Sequence, residues 1–493
     1  MDETKSSYRQ IIKTTTLFGG VQVVTILTNI FRGKIAAVLL GAAGMGVLTL
    51  LTSVVTLIVQ IASIGLNLSA VRDISSANLA KNTPLLSHKV TVFKKIMCYC
   101  AIFGAGLMIA SSSWLSKLTF GNDQYTYSFM WLSLAVALTM LNSSNITFLQ
   151  GTQKLKDMAK STVLGSLFGL IFSFPLFYFY GTKGIVPSLV IAAVFTYGAS
   201  TYFSRKNRIE QIKIRFFDTL RDGAEMAKLG IAMMLSTLIA SALNYIVNSY
   251  IGKFGSITEV GLYGAGISIT NQYVSVIFTA MAVDYFPRLS AICHDREQVD
   301  KVVNQQAIIV VLLITPLLIL MILTAPFLIN ILLSSQFLAI TDFVCWVAFA
   351  LLFKAASFAF GYISFAKGDK RTFFIFEGIG CSLLILGCNI IGYNFGGLNG
   401  IAISILISYV IYLFAVNILV SRLYLFRLEM QFVVIFLISM VLLASVLLIA
   451  LSYSNYYGYS LGILLLLVSF YFSYYELDKR IGLKALIISK LRR

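Results

Sequence analysis

"GVLTLLTSVVTLIVQIASIGLNLSAVRDIS", residues 46–75, and "GLYGAGISITNQYVSVIFTAMAVDYFPRLS", residues 261–290, read as two copies of one element. Each opens on a glycine, continues as a long apolar run and closes on an arginine beside polar residues. The opening glycines are 215 residues apart, and Arg72 and Arg288 are 216 apart. A run of this length covers about 30 Å of hydrocarbon at about 1.5 Å per residue, so each is expected to cross a membrane as a helix.

The same offset recurs downstream. "QGTQKLKD" (150–157), with Gly151, is followed by Gly181 and Gly184, and "AKGDKRTF" (366–373), with Gly368, is followed by Gly397 and Gly400. These offsets are 217, 216 and 216, in the same order along the chain. A spacing held over several landmarks marks an internal repeat. Each copy holds six apolar runs, an even number, so both enter the membrane from one side and are related by an axis along its normal.

Fourteen such runs lie between Ile11 and Tyr475, and the chain is 58% hydrophobic and only 12% charged. A soluble domain carries about a quarter charged residues, and a barrel shows weak alternation rather than continuous runs. The expected fold is therefore an all-α polytopic membrane protein with about 14 transmembrane helices. Two six-helix lobes come from the repeat, at an offset of about 216, and a C-terminal helix pair lies outside it. The domain division is residues 1–203 for the N-terminal lobe, 204–228 for a charged cytoplasmic linker, 229–423 for the C-terminal lobe, and 424–493 for the extra pair and a basic amphipathic tail. The first run lacks a small-residue cleavage site and reads as a retained helix, not a signal peptide.

The net charge of +18 reports topology. With the N-terminus in the cytoplasm, 32 of the 38 Lys and Arg residues fall in loops on that side; the exceptions are Arg32, Lys34, Lys117, Lys183, Lys253 and Lys354. This is the positive-inside pattern followed through every span, which predicts cytoplasmic N- and C-termini and leaves no call for a nucleic-acid partner. The tail "KRIGLKALIISKLRR", 479–493, is expected to lie on the membrane surface. The six cysteines show no CxxC or Cys/His spacing, so no metal and no cofactor is expected. No phosphate-binding loop, nucleophile elbow or HExxH is present, and the chain is not expected to be an enzyme.

An ionisable residue inside a span costs about 2.5–3.5 kcal/mol and therefore asks for a role. Lys354 is 12 residues from Asp342 and 13 from Lys367, about 18 and 20 Å of helical rise, which puts it near the middle of its span. Ala350, Ser357 and Gly361 share its face, a small face that could border water; the other reading is an ammonium bonded to interhelical carbonyls. Arg32 lies 19 residues past Lys13, about 28 Å, and would be an interfacial anchor if its helix stopped there. Against that, Gln22, Thr25, Asn29 and Arg32 form a 3-4-3 stripe and the apolar run continues through "IAAVLLG" (35–41), as in a helix lining a polar cavity. Lys34 lies about 200° further round and is expected to be an anchor.

The repeat acts as a control on these charges. Arg32 maps to Val247 or Asn248, Lys354 to Ala137 or Leu138, and Asn29 to Asn244 or Tyr245, so polarity is shared between the copies while charge is not. Asn244 and Asn248 are candidate cavity residues, and Asn271 and Gln272 are further candidates for lining a cavity, or for an interhelical amide bond. Asp284 and Glu377 are candidate coupling acids, with local ion pairing to Arg288, or to Lys370 and Arg371, as the plainer reading.

A membrane cavity lined by Arg and Lys selects an anion, and the planar donor fork of Arg suits phosphate oxygens. Four segments add a resemblance: "RGKIAAVLLGAAGMGVL" (32–48), "VGLYGAGISIT" (260–270), "FPRLS" (286–290) and "FKAASFAFGYISFAKGDKRTFFIFEG" (353–378). Over residues 10 to 420 the chain resembles the Wzx-type O-antigen translocases and the lipid III flippases of enterobacterial common antigen synthesis. The match is most specific at Lys354, Gly361, Tyr362, Lys367 and Glu377, which occur in order. The resemblance implies membership of the multidrug/oligosaccharidyl-lipid/polysaccharide exporter (MOP) superfamily, with two lobes, a central cavity and alternating access. It implies a cavity-lining role for Arg32, from its spacing to Gly41, and polymerase and chain-length proteins as candidate partners. This chain departs from the pattern at Ala42-Ala43, where many relatives have Pro-Ala, and at Asn271, where an acid is expected. The last two runs are similar to the added pair of the lipid II flippase, placed to cradle a polyprenyl tail or simply to pack on the second lobe.

The expected function is a flippase that moves a polyprenyl-diphosphate-linked oligosaccharide, an O-antigen or other polysaccharide repeat unit, from the inner to the outer leaflet of the bacterial cytoplasmic (inner) membrane. Arg32 and Lys354 would hold the diphosphate, with Asn29, Gln22 and Thr25 beside them, membrane lipids around them, and H+ or Na+ coupling left open. One alternative is an ion-coupled multidrug exporter of the same superfamily, which would present intramembrane acids to cationic cargo. The other is a membrane polysaccharide polymerase or glycosyltransferase, which would need a large extramembrane loop; the longest here is about 25 residues.

Overall fold

The computed structural model describes residues 2–481, except 81, 208, 210, 211, 213, 370, 371, 373 and 453–455. Side chains of some helical residues, including 2–23, 25, 225–229, 279–284 and 377, also lie outside the described residues. So do Lys370 and Arg371 and the tail residues 482–493.

The described elements are helices, and no strand occurs among them. In chain order they are α1 (Asp2–Ser63), α2 (Leu66–Leu79), α3 (Thr83–Ala110), α4 (Ser112–Phe120), α5 (Thr126–Gly151), α6 (Leu155–Tyr180), α7 (Ile185–Lys206), α8 (Phe216–Phe254), α9 (Ile257–Ala291), α10 (Arg296–Leu332), α11 (Thr341–Ala366), α12 (Cys381–Tyr424), α13 (Met430–Ser452) and α14 (Tyr456–Ile481). A seven-residue π-helical stretch, Phe374–Gly380, leads into α12. Nine helical segments among the described residues are long and apolar enough to cross a membrane. Three of these, Ile26–Ser63, Leu155–Lys206 and Phe374–Tyr424, run over a turn or break and are 38, 52 and 51 residues long, far beyond the roughly 20 that one crossing needs. The protein is a multi-pass membrane protein.

By contact the chain forms two compact units, Met1–Gly261 and Leu262–Arg493. In the first, α1 is two legs joined at Gly41, whose φ of 67° lies in the left-handed region. Ile64 and Gly65, with φ of 48° and 66°, separate the second leg from α2. The first unit also contains α8, which meets the break between α1 and α2 at small residues: a Cβ on Gly230 would collide with the backbone of Gly65, and one on Gly65 with that of Gly230. Side chains add a 2.7 Å hydrogen bond between the Thr119 hydroxyl of α4 and the Tyr245 hydroxyl of α8. Lipid tails are as apolar as Leu, so close backbone approach and interhelical hydrogen bonds, rather than burial as such, hold helices together in a bilayer.

In the second unit, α13 shows how the sequence divides its faces. Phe432, Ile435, Phe436, Ser439, Leu443, Val446 and Leu447 recur at helical spacing and are buried, while Val434, Leu437, Val441 and Leu448 are exposed. Both faces are apolar, as expected of a helix between protein and lipid. The buried face packs on α11 through Phe353–Phe436 and Phe360–Phe432, both edge-on with centroids 5.4 Å apart. The connection into α13 is clamped by Asn304 of α10, whose amide donates to the Arg427 carbonyl at 2.9 Å and accepts from the Glu429 N–H at 3.0 Å. The helix pair beyond the repeat packs on α10 and α11.

The repeat reappears in the backbone. Gly181 ends α6 with φ 52°, ψ −130°, and Gly397 breaks α12 with φ 57°, ψ −137°. A residue with a Cβ is strained there, so both copies require glycine at the same turn. Three residues on, a Cβ at Gly184 would collide with the Leu176 carbonyl and one at Gly400 with the Gly392 carbonyl, again 216 apart. Gly46 and Gly261 form a reciprocal pair: a Cβ on Gly46 would strike the Ile257 carbonyl oxygen, and one on Gly261 the Ala42 carbonyl oxygen.

Candidate functional site

In the first unit the candidate residues sit on the first leg of α1. That leg does not stop at Arg32 but continues to Gly41, nine residues or about 13.5 Å further. The helix end that would make Arg32 an interfacial anchor is therefore absent. At about 100° per residue, Asn29, Arg32, Ala36 and Leu40 lie within an arc of about 80°. Ala36 and Leu40 are buried, Arg32 is half-buried and Asn29 is exposed. Leu27, Phe31 and Val38 occupy the opposite side and are exposed, as expected of a lipid-facing edge, and Lys34 falls near them. Among the described residues Arg32 has no ion pair and no side-chain hydrogen bond. The side chains of Gln22 and Thr25 lie outside the described residues.

The repeat positions of α8 are used differently. Asn248, which falls opposite Arg32 at an offset of 216, is 2% exposed and donates its amide to the Ser53 hydroxyl of α1 at 3.2 Å. Asn244, one turn earlier, is exposed. At this helix the second copy spends its polarity on an interhelical tie.

In the second unit Lys354 is half-buried on α11. Its ammonium lies 5.7 Å from the centroid of Phe278 on α9 and 5.5 Å from that of Tyr409 on α12. Among the described residues it makes no ion pair and its ammonium no hydrogen bond. The small residues on its face do not border water: Ala350, Ser357 and Gly361 are buried, and the Ser357 hydroxyl donates to the Lys354 carbonyl at 2.9 Å. They serve close helix packing instead. Asn271 is exposed on α9, and the half-buried Gln272 donates to the Ser268 hydroxyl one turn back at 3.2 Å. The side chains of Asp284 and Glu377 lie outside the described residues. Lys367, in the same specific segment, donates to the Cys293 carbonyl at 3.0 Å.

Phe278 and Tyr409 escape sequence reasoning. They lie 76 and 55 residues from Lys354, and no local periodicity links an aromatic ring to a lysine on another helix. A separate cavity of about 560 Å³ opens in the first unit where α5 and α7 begin, with Leu51, Val186 and Val190 on its walls and Tyr125, Trp131 and Lys183 among its polar and aromatic groups. None of the predicted site residues lines it.

Residues 10–342 match a family of polysaccharide biosynthesis proteins. Over 392 residues the chain is 21% identical to the lipid III flippases of Escherichia coli (strain K12) and Shigella flexneri, covering 79% of this chain and 93% of each of those proteins. Among solved structures it is similar to the lipid II flippase MurJ in its inward closed conformation, with a TM-score of 0.70, 12% identity and coverage of 95% of this chain and 99% of that one. It is also similar to an inward-facing multidrug resistance MATE family transporter of the MOP superfamily, with a TM-score of 0.69, 15% identity and coverage of 82% and 95%. At such identities the structural likeness speaks to fold alone, the fold of these multi-helix transporters, while the family match spans two thirds of the sequence. The chain belongs to the polysaccharide biosynthesis protein family.

Proposed function

We propose that the protein is a flippase for a polyprenyl-diphosphate-linked oligosaccharide and exports its cargo to the outer leaflet of a bacterial cytoplasmic membrane by alternating access. The observation that carries this reading is a pair of intramembrane cations, Arg32 in one unit and Lys354 in the other, neither of which has a carboxylate partner among the described residues. An unpaired cation in a membrane is expensive and is best explained by an anion that arrives with the cargo. The likeness to lipid III flippases over nearly their whole length supports a lipid-linked saccharide as that cargo. The same unpaired cations weigh against a multidrug exporter for cationic compounds.

In this reading Arg32 offers a bidentate fork to the diphosphate and Lys354 a point charge, with Asn29 adding an amide on the side of Arg32. The functional halves are the repeat copies 1–203 and 229–423, joined by 204–228, and the termini face the cytoplasm, as the distribution of Lys and Arg favours. The test is reconstitution. Labelled polyprenyl-diphosphate oligosaccharide should cross proteoliposome membranes at least tenfold faster with the protein than without it, and equal rates would defeat the proposal.

A further inference from the structure

Among the described residues the Lys354 ammonium meets rings and no acid. It lies over the rings of Phe278 and Tyr409, at 5.7 and 5.5 Å from their centroids, within the range at which the face of an aromatic ring attracts a cation. The two rings come from different helices, α9 and α12, so the ammonium meets one aromatic side chain from each. Phe278 is itself braced. Its ring meets Phe358 at 4.9 Å, Phe358 meets Tyr362 at 4.8 Å, and Tyr362 meets Tyr285 at 5.8 Å. Tyr285 is fully buried and donates its hydroxyl to the Ala359 carbonyl at 2.8 Å. Lys354, Phe358 and Tyr362 follow one another at i, i+4 and i+8, so a single stripe of α11 carries the cation and its supports against a stripe of α9 spaced by seven.

A carboxylate partner and an aromatic pair would do different things to this lysine. A carboxylate neutralises the ammonium and accepts from its N–H donors, so an incoming anion would have to displace it. A ring attracts the positive charge through its quadrupole but offers no lone pair, so the charge persists and the donors remain open to oxygen. We infer that Phe278 and Tyr409 are positioning residues that hold the Lys354 ammonium in place with its N–H donors open to the phosphate oxygens of an anionic ligand, where the described residues offer it no carboxylate. This rests on the reading of Lys354 as a phosphate contact, and its geometry can be tested apart from that reading.

The experiment uses the full chain in nanodiscs, with its lysines reductively methylated with 13C-formaldehyde; the Lys354 signal is identified by its loss in Lys354→Arg. Ring currents should move that signal upfield, and Phe278→Leu and Tyr409→Leu should each return it toward the position of an ordinary lysine, while Tyr409→Phe leaves it in place. In parallel, inorganic pyrophosphate is titrated into the unlabelled protein. Affinity should fall about fivefold or more in each leucine variant by loss of one cation–ring contact, stay within twofold in Tyr409→Phe, and be lost in Lys354→Gln. A Lys354 signal with no upfield shift in the wild type, or leucine variants that bind pyrophosphate as the wild type does, overturns the aromatic clamp alone. Equal binding by wild type and Lys354→Gln overturns the phosphate-contact reading, and the clamp's function with it, whatever the resonance shows.

Discussion

Arg32 and Lys34 are two residues apart and carry the same charge, yet at about 100° per residue they face sides of α1 about 200° apart. Arg32 shares an arc with the buried Ala36 and Leu40, whereas Lys34 falls by the exposed Leu27, Phe31 and Val38. From its own side chain a lysine can snorkel past apolar neighbours, while an arginine on the inner arc has to find its acceptor there. If that acceptor is a phosphate, Arg32→Ala removes a charge-assisted contact of about 1.5–3 kcal/mol, and flipping in proteoliposomes should slow roughly 10- to 100-fold. Arg32→Lys should fall between, because it keeps the charge and loses the fork. Lys34→Ala should stay within twofold, and equal losses at both positions would remove the argument from helix faces.

At the scale of elements the glycines do most of the specifying. Gly46 and Gly261 each bring a helix backbone against the carbonyl of a residue in the other helix, and an added Cβ has no room without parting the chains. Gly46→Ala or Gly261→Ala should therefore lower stability by about 1–3 kcal/mol or more, read as a drop in the thermal midpoint of the purified protein. Gly106 supplies the comparison: it sits inside α3 with nothing within 4 Å of a Cβ, and Gly106→Ala should be neutral or gain about 0.4–1 kcal/mol. The same contrast explains what was legible beforehand. A glycine that permits a close approach or a left-handed turn leaves a mark in the sequence, so Gly181 and Gly397, or Gly46 and Gly261, could be paired by spacing alone. The left-handed Ile64 leaves no such mark, since a β-branched residue is among the least expected there, and the break it opens with Gly65 goes unannounced. The run of α1 past Arg32 to Gly41 was legible only as a choice between two helix ends. The partners of Lys354 were not legible at all, because they arrive from helices distant in sequence.

For the molecule as a whole, the positive-inside pattern of the sequence assigns 32 of the 38 Lys and Arg residues to loops on the cytoplasmic side. Lys354, which the sequence places near the middle of its span, is also basic, and with Arg32 it makes the proposed transport path cationic. A cationic path carrying a diphosphate outward against an inside-negative potential moves negative charge in the favourable direction. Each charge contributes about 2.3 kcal/mol per 100 mV, hence roughly 4.6 kcal/mol for two, enough to bias the leaflet distribution by about three orders of magnitude. The potential alone should then drive export. In proteoliposomes loaded with potassium and treated with valinomycin, an inside-negative potential imposed without any proton or sodium gradient should accelerate outward flipping, and reversing its sign should slow it. If flipping ignores the potential and responds only to an imposed proton or sodium gradient, the charge carried by the cargo is compensated by a coupled ion. Asp284 and Glu377 then become the first residues to replace, as the two acids that the sequence singles out within or beside the spans.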